Sequence, residues 1–276
     1  MIISKIYAGF GNQLFMYAIG YAKARQLHTQ LALDATYIAN DRARLFELSQ
    51  LNLKYDRLYI FPRWMPRWLN VPLRKVFQSF LGMKYKRYIE KKAYVYDPHI
   101  EELADNIWLS GYWQNEKYFL AYREEILNML TPTFTLSEGC SKYLEDVKKC
   151  NSVAIHIRRG DYVKLGITMD DSYYKEAMKF IEDKINSPVY FIFSDDKEYA
   201  KSLFNNSTRE CHIVNYVGVD NTIEDFIIMR SCKHIITANS SYSWWAAWSN
   251  ENENKIVIYP QKSKLTFKDK KNCFAL

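Results

Sequence analysis

From about residue 136 onward, short apolar runs alternate with helical segments, and this alternation restricts the fold more than any other feature. SVAIHIR, VYFIFS, CHIVNYV, HIITA and KIVIYP read as strands. LSEGCSKYLEDVKKC, YYKEAMKFIEDKI, KEYAKSLF, TIEDFIIMRSC and YSWWAAWSN read as helices, with Ser137 and Thr222 as expected N-caps. Apolar runs this short, set between helices, mark strands covered on both faces, so the second half reads as a doubly wound α/β domain. The chain opens in the same way. IISKIY reads as a strand, AGFG breaks it, and NQLFMYAIGYAKARQLH carries Leu14, Tyr17, Ala18 and Tyr21 at helical spacing before a second strand, QLALDA. Thr131, Pro132 and Thr133 punctuate the chain between the halves. The expected organisation is an α/β domain over 1–135, a second over 136–260, and a basic tail over 261–276 that packs back on the first.

The middle of the first half is less regular. Residues 55–95 form a basic region, and 63–92 hold nine Lys or Arg against one acid, Glu90. Trp64, Trp68, Leu69, Val71, Leu73, Val76, Phe77, Phe80 and Leu81 run through it. A helical pair with a solvated basic face, a patch for anionic lipid headgroups, and a nucleic-acid stripe all fit that pattern. The net charge of +7 suits an anionic partner without choosing one. The five cysteines, Cys140, Cys150, Cys211, Cys232 and Cys273, are odd in number and lack metal or redox spacing, which reads as reduced thiols in a cytoplasmic protein. No charged start with a long apolar run suggests a secretory signal, and no apolar stretch approaches the roughly 20 residues of a membrane span. The expected location is the cytoplasm, with peripheral contact at an anionic membrane surface.

In open parallel sheets ligands bind beyond the carboxyl ends of the strands. Four stretches fall there: AGFGNQ, HIRRGDY, FSDD and TANSSYSWW. In HIRRGDY, strand alternation puts His156 and Arg158 on one face and Arg159 on the other. The Arg158 fork at the strand end suits phosphate oxygens, while Arg159 is expected to pair structurally with Asp161 or a backbone carbonyl. In TANSSYSWWAAW a turn of small polar residues leads into a helix whose first N–H groups lack internal partners. Ser240, Ser241 and Ser243 cap those groups or meet an anion there. Trp244, Trp245 and Trp248 read as core. Asp195 and Asp196 fit hydrogen bonding to a base or ribose, and Asp196 also fits a helix cap. No D-x-D exists to hold a divalent metal on a nucleotide-sugar. AGFGNQ has Gly9 and Gly11, but Leu14 stands where a dinucleotide fingerprint needs its third glycine. Asn12 and Gln13 remain as donors in that loop. There is no G-x-x-x-x-G-K-[ST], no G-x-S-x-G and no H-E-x-x-H.

Together these stretches resemble the α-1,2-fucosyltransferases of glycosyltransferase family 11. Ala8–Phe15 matches that family's G-G-x-G-N-Q-x-F, His156–Tyr162 its H-x-R-R-x-D-Y, Phe193–Asp196 its F-S-D-D, and Asn239–Trp248 its N-S-S-x-S-W-W-A-A-W. GYWQNEKYF, 111–119, also resembles a family segment. Ala8 replaces the family's first glycine, and Tyr242 stands where phenylalanine is common. The resemblance implies a GT-B-like fold, two Rossmann-like α/β domains facing across a cleft. It implies inverting transfer of L-fucose from GDP-β-L-fucose to the 2-hydroxyl of a terminal β-galactose, with no cofactor and no obligatory metal. It also implies that Arg158 holds the β-phosphate and His156 lies against the nucleotide. Asp195 reads the guanine, and Asn239, Ser240, Ser241 and Tyr242 line the donor side. Gly9, Gly11, Asn12, Gln13, Trp113 and Glu116 form the sugar-side loops, and Arg159, Trp244 and Trp245 give support. Asp161 is the first choice of base, ahead of His156, Glu116 and Glu224. The rival readings are another GDP-sugar donor or linkage and, more remotely, a non-catalytic module for nucleic acid or membrane. The expected partners are GDP-β-L-fucose and a galactose-terminated oligosaccharide or lipid-linked glycan, without nucleic acid.

Overall fold

Strand β1 (Ile2–Lys5) is hydrogen-bonded on both sides, with Ile2 beside Leu31 and beside Ile107. The computed structural model describes residues 1–38, 44–205, 207–217, 221–269 and 271–276, Asn221 by its backbone only. The chain divides into two units, Met1–Thr133 and Phe134–Leu276.

In the first unit β1 is followed by α1 (Phe10–Gln26), β2 (Leu31–Asp34), β3 (Arg57–Tyr59), α2 (Arg67–Lys84), β4 (Lys86–Ile89), β5 (Ile107–Ser110) and α3 (Arg123–Met129). The five strands are parallel in the order β3-β2-β1-β5-β4. Helix α1 is buried almost all round. Its Phe10, Leu14, Phe15 and Ile19 each gain about 1.5–3 kcal/mol by leaving water. Gly20 is required where α1 crosses β1, because a Cβ there would lie 2.8 Å from the Ser4 Cβ. Ser4 Oγ donates to the Met16 carbonyl at 2.6 Å across that contact. The expected helical pair in the basic region is instead one helix, α2, followed by the edge strand β4.

The second unit runs α4 (Glu138–Lys149), β6 (Asn151–Ile157), α5 (Gly160–Leu165), α6 (Asp171–Glu182), β7 (Pro188–Ser194), α7 (Lys197–Phe204), β8 (Cys211–Ile213), α8 (Asn221–Ser231), β9 (His234–Ile236), α9 (Ser241–Trp248), β10 (Val257–Tyr259) and β11 (Cys273–Ala275). Its six strands are parallel in the order β11-β10-β9-β6-β7-β8. This is the dinucleotide-fold order, which reverses direction between β6 and β9. Ser137 caps α4 by accepting from the Cys140 N–H at 3.1 Å. Thr222 does not cap α8, because that helix begins one residue earlier. Residues 261–276, expected to pack back on the first half, end in β11, which extends the second sheet beside β10. Phe267 of this segment stacks on Trp244, ring centroids 5.4 Å apart. Among the described residues no helix is long and apolar enough to cross a membrane.

Candidate active site

The reversal of strand order in the second sheet leaves a crevice beyond the carboxyl ends of β6 and β9. HIRRGDY leaves β6 there and ANSS leaves β9. The register of β6 with β7 sets the chemistry. His156 pairs with Phe193 and Ile157 with Ser194, so the next residues, Arg158 and Asp195, emerge side by side. Arg158 Nη1 lies 2.8 Å from Asp195 Oδ2, and its Nη2 donates to Asp161 Oδ1 at 2.6 Å. Asp195 Oδ1 also accepts from the Arg159 N–H at 2.8 Å. A Cβ on Gly160 would stand 2.6 Å from Asp195 Oδ2, so any side chain there displaces that carboxylate. Arg159 pairs with Asp196 at 3.2 Å and lies over the Tyr199 ring at 3.6 Å, rather than pairing with Asp161 or a carbonyl. Asp196 caps α7 by accepting from the Tyr199 N–H at 3.0 Å.

Beside this cluster, α9 presents its N-terminus. Ser240 is its cap, although its Oγ meets the Tyr242 N–H only at 3.3 Å. Ser241 begins the helix, half-buried and close to those first N–H groups. Asn239 Nδ2 donates to the Ile167 carbonyl at 2.8 Å, while its buried Oδ1 has no hydrogen-bond partner among the described residues. His156 is buried against Tyr242, ring centroids 5.4 Å apart, and its Nδ1 is also unpartnered. Burial, with the Arg158 charge added, pushes the His156 pKa down to about 3. The ring is therefore neutral at working pH. Trp244 and Trp245 are buried, and Trp244 Nε1 donates to the Thr266 carbonyl at 3.0 Å.

In the first unit, the loops after β1 and β5 are neighbours because those strands pair. Asn12 Oδ1 accepts from Gln114 Nε2 at 2.7 Å and ties the two loops together. Gln13 is fully buried; its amide nitrogen donates to the Ala8 and Leu45 carbonyls at 2.8 and 2.7 Å, so it staples the loop from within. Gly9 is the α1 N-cap, and Gly11 is buried in the first turn. Ala8, where the family motif has glycine, sits at φ 63°. Trp113 is also at positive φ, is fully inaccessible, and stacks on Tyr88, so it packs inside the unit. Glu116 is buried at the start of a short 3-10 turn.

Sequence reasoning missed Glu90. Its carboxylate accepts from the Tyr112 and Trp113 N–H groups at 2.8 and 3.1 Å and fixes the β5 loop. The signal was present, for it is the lone acid in a basic run. Reasoning also missed an aromatic shelf of Tyr7, Tyr37 and Tyr112, in which Tyr37 and Tyr112 are exposed. Glu224, a weaker base candidate, is buried and holds the α4 N-terminus through Ser137 N and Oγ at 2.6 and 2.9 Å.

Two Rossmann-like parallel sheets, the second with arginine, aspartate and a helix N-terminus at its switch point, make up a GT-B-type fold. A solved neighbour, the NodZ α-1,6-fucosyltransferase soaked with GDP-fucose, has this fold: TM-score 0.52, 14% identity, covering 96% of each chain. The model of glycosyl transferase family 11 matches residues 1–275, and the chain belongs to that family. It is 30% identical to an α-1,2-colitosyltransferase of Escherichia coli, over 94% of this chain and 91% of that one. It is 32% identical to the O-antigen biosynthesis glycosyltransferase WbnK of Escherichia coli, over 92% of each.

Proposed function

We propose that this glycosyltransferase moves L-fucose from GDP-β-L-fucose to the 2-hydroxyl of a terminal β-galactose, with inversion and without an obligatory metal. The observation that carries the reading is the register-locked Arg158–Asp195 pair at the switch point beside the α9 N-terminus. Both ends of the Arg158 guanidinium face carboxylates. A diphosphate oxygen exchanges for one of them. Arg158 then neutralises the β-phosphate, and Asp195 turns its acceptor oxygens to the N1–H and 2-amino group of guanine. The unpartnered His156 Nδ1 and Asn239 Oδ1 are polar atoms that a bound donor would satisfy.

Cleavage of the fucosyl–phosphate bond adds negative charge to the leaving β-phosphate. Arg158 and the N–H groups at Ser240 and Ser241 are fixed before reaction and favour that charge without reorganising. The galactose 2-hydroxyl attacks the anomeric carbon from the opposite face, and Asp161 takes its proton.

The likeness to the colitosyltransferase favours a second reading, in which the donor sugar is colitose. Donor competition decides. GDP-fucose is expected to be turned over at least tenfold more efficiently than GDP-colitose or GDP-mannose. Preference for either of the other two would overturn the donor assignment.

A further inference from the structure

Helix α2 is mounted with its apolar residues outward. Trp68, Val76, Phe80 and Met83 are 77, 68, 60 and 78% exposed, and Trp64 just before the helix is 81% exposed. The helical positions put Trp68, Val76, Phe80 and Met83 on one stripe. On the inner face Leu81 and Phe77 pack on the sheet, and Asn70 is fully buried with neither amide atom hydrogen-bonded among the described residues. A helix built for water alone would not also carry four large apolar side chains on its outer face. Lys75 and Lys84 flank the outer stripe on opposite sides, and both are exposed. Nine Lys or Arg and one acid lie within residues 63–92.

We propose that the outer face of α2 is a docking surface for an anionic phospholipid bilayer. Apolar side chains with two tryptophans and a basic rim match the two layers of a membrane interface, acyl chains below and phosphates above. The excess of positive charge argues against a second copy of the same chain as the cover, because two such faces repel. It equally selects anionic over zwitterionic lipid. Docking here would hold the enzyme where a lipid-linked acceptor is presented.

The test is co-sedimentation of the full chain with vesicles of phosphatidylglycerol and phosphatidylethanolamine, against phosphatidylcholine alone. Binding is expected to be at least tenfold tighter to the anionic vesicles and to fall in about 0.5 M salt, where screening is short-ranged. Lys75→Glu with Lys84→Glu, and separately Trp68→Ser with Phe80→Ser, should each weaken binding at least tenfold. All four residues are solvent-exposed, so melting temperature and turnover of a soluble acceptor should stay unchanged. Equal binding to both vesicle types, or anionic binding that survives both double variants, would overturn the proposal. So would a concentration-dependent dimer, abolished by Trp68→Ser with Phe80→Ser, in a protein that ignores vesicles.

Discussion

Gly160→Ala places one methyl group against the centre of the donor site. The new Cβ would meet Asp195 Oδ2 at 2.6 Å, against an ordinary contact of 3.4 Å or more, so the carboxylate must retreat by about 0.8 Å. That oxygen is the one 2.8 Å from Arg158 Nη1, and its partner oxygen accepts from the Arg159 N–H at 2.8 Å. Hydrogen bonds to charged groups contribute about 1.5–3 kcal/mol. Asp195 is a quarter exposed, so water replaces part of the loss, and the stability cost should be about 1–2 kcal/mol. The functional cost is read by comparing GDP with IDP, which lacks the 2-amino group. One charge-assisted hydrogen bond corresponds to about tenfold to hundredfold in affinity. Calorimetry on the wild-type chain should therefore show GDP preferred over IDP within that range. In Gly160→Ala the preference should shrink to about threefold or less, with GDP itself bound about tenfold more weakly. Gly82→Ala is the control. No atom lies within 4 Å of its Cβ, and a helical Gly→Ala change should stabilise by up to about 1 kcal/mol without touching affinity. If Gly160→Ala keeps the wild-type preference for GDP over IDP, Asp195 does not read the base and the reasoning fails.

Asp161→Asn should lower kcat by about 10²–10⁴-fold while changing the donor KM little; near-normal turnover would remove Asp161 as base. Ala8→Gly relieves a left-handed residue at φ 63°, and denaturant unfolding should show a gain of about 0.5–1 kcal/mol, whereas a loss would contradict the assigned backbone. His156 and His234 have pKa values pushed down by burial to about 3 and about 4, well below their unfolded value of 6.5. Folded chain thus binds fewer protons than unfolded chain. Their stabilisation is complete above pH 6.5 and falls by about 1.4 kcal/mol per pH unit for each residue on acidification. Urea unfolding at pH 7.5 and 5.0 should differ by up to about 4 kcal/mol, and a flat profile would contradict their burial as neutral rings. His234 reinforces the trend, since its Nδ1 is 3.0 Å from the Ile256 N–H as an acceptor, a role that protonation ends.

The inner strands of the second sheet were legible because each is buried on both faces and so appears as an unbroken apolar run. The edge strands β4 and β11 were not, although β8, also at an edge, and β10, next to one, were read as strands. β4 reads KRYI, whose charges belong to an edge strand and resemble a solvated helix. β11, CFA, is too short to stand out in a basic tail. The motif positions were legible as strand ends, but their pairings were not, because parallel register brings together residues 37 apart. Arg158 meets Asp195 only through the alignment of Ile157 with Ser194. Gln13 and Trp113 looked like loop ligands because polarity and aromaticity do not reveal that a side chain turns inward. The outward apolar face of α2 was visible as composition, and only packing showed which way it points.

The central claim is tested most directly by supplying the purified chain with GDP-fucose and lactose in the presence of EDTA and reading the product by NMR. A new α-anomeric fucose on galactose O2 is the expected result, reporting donor, linkage, inversion and metal independence together. Protein that binds GDP yet forms a β-linked product, attaches fucose elsewhere on galactose, or turns over only when a divalent metal is restored would contradict the account.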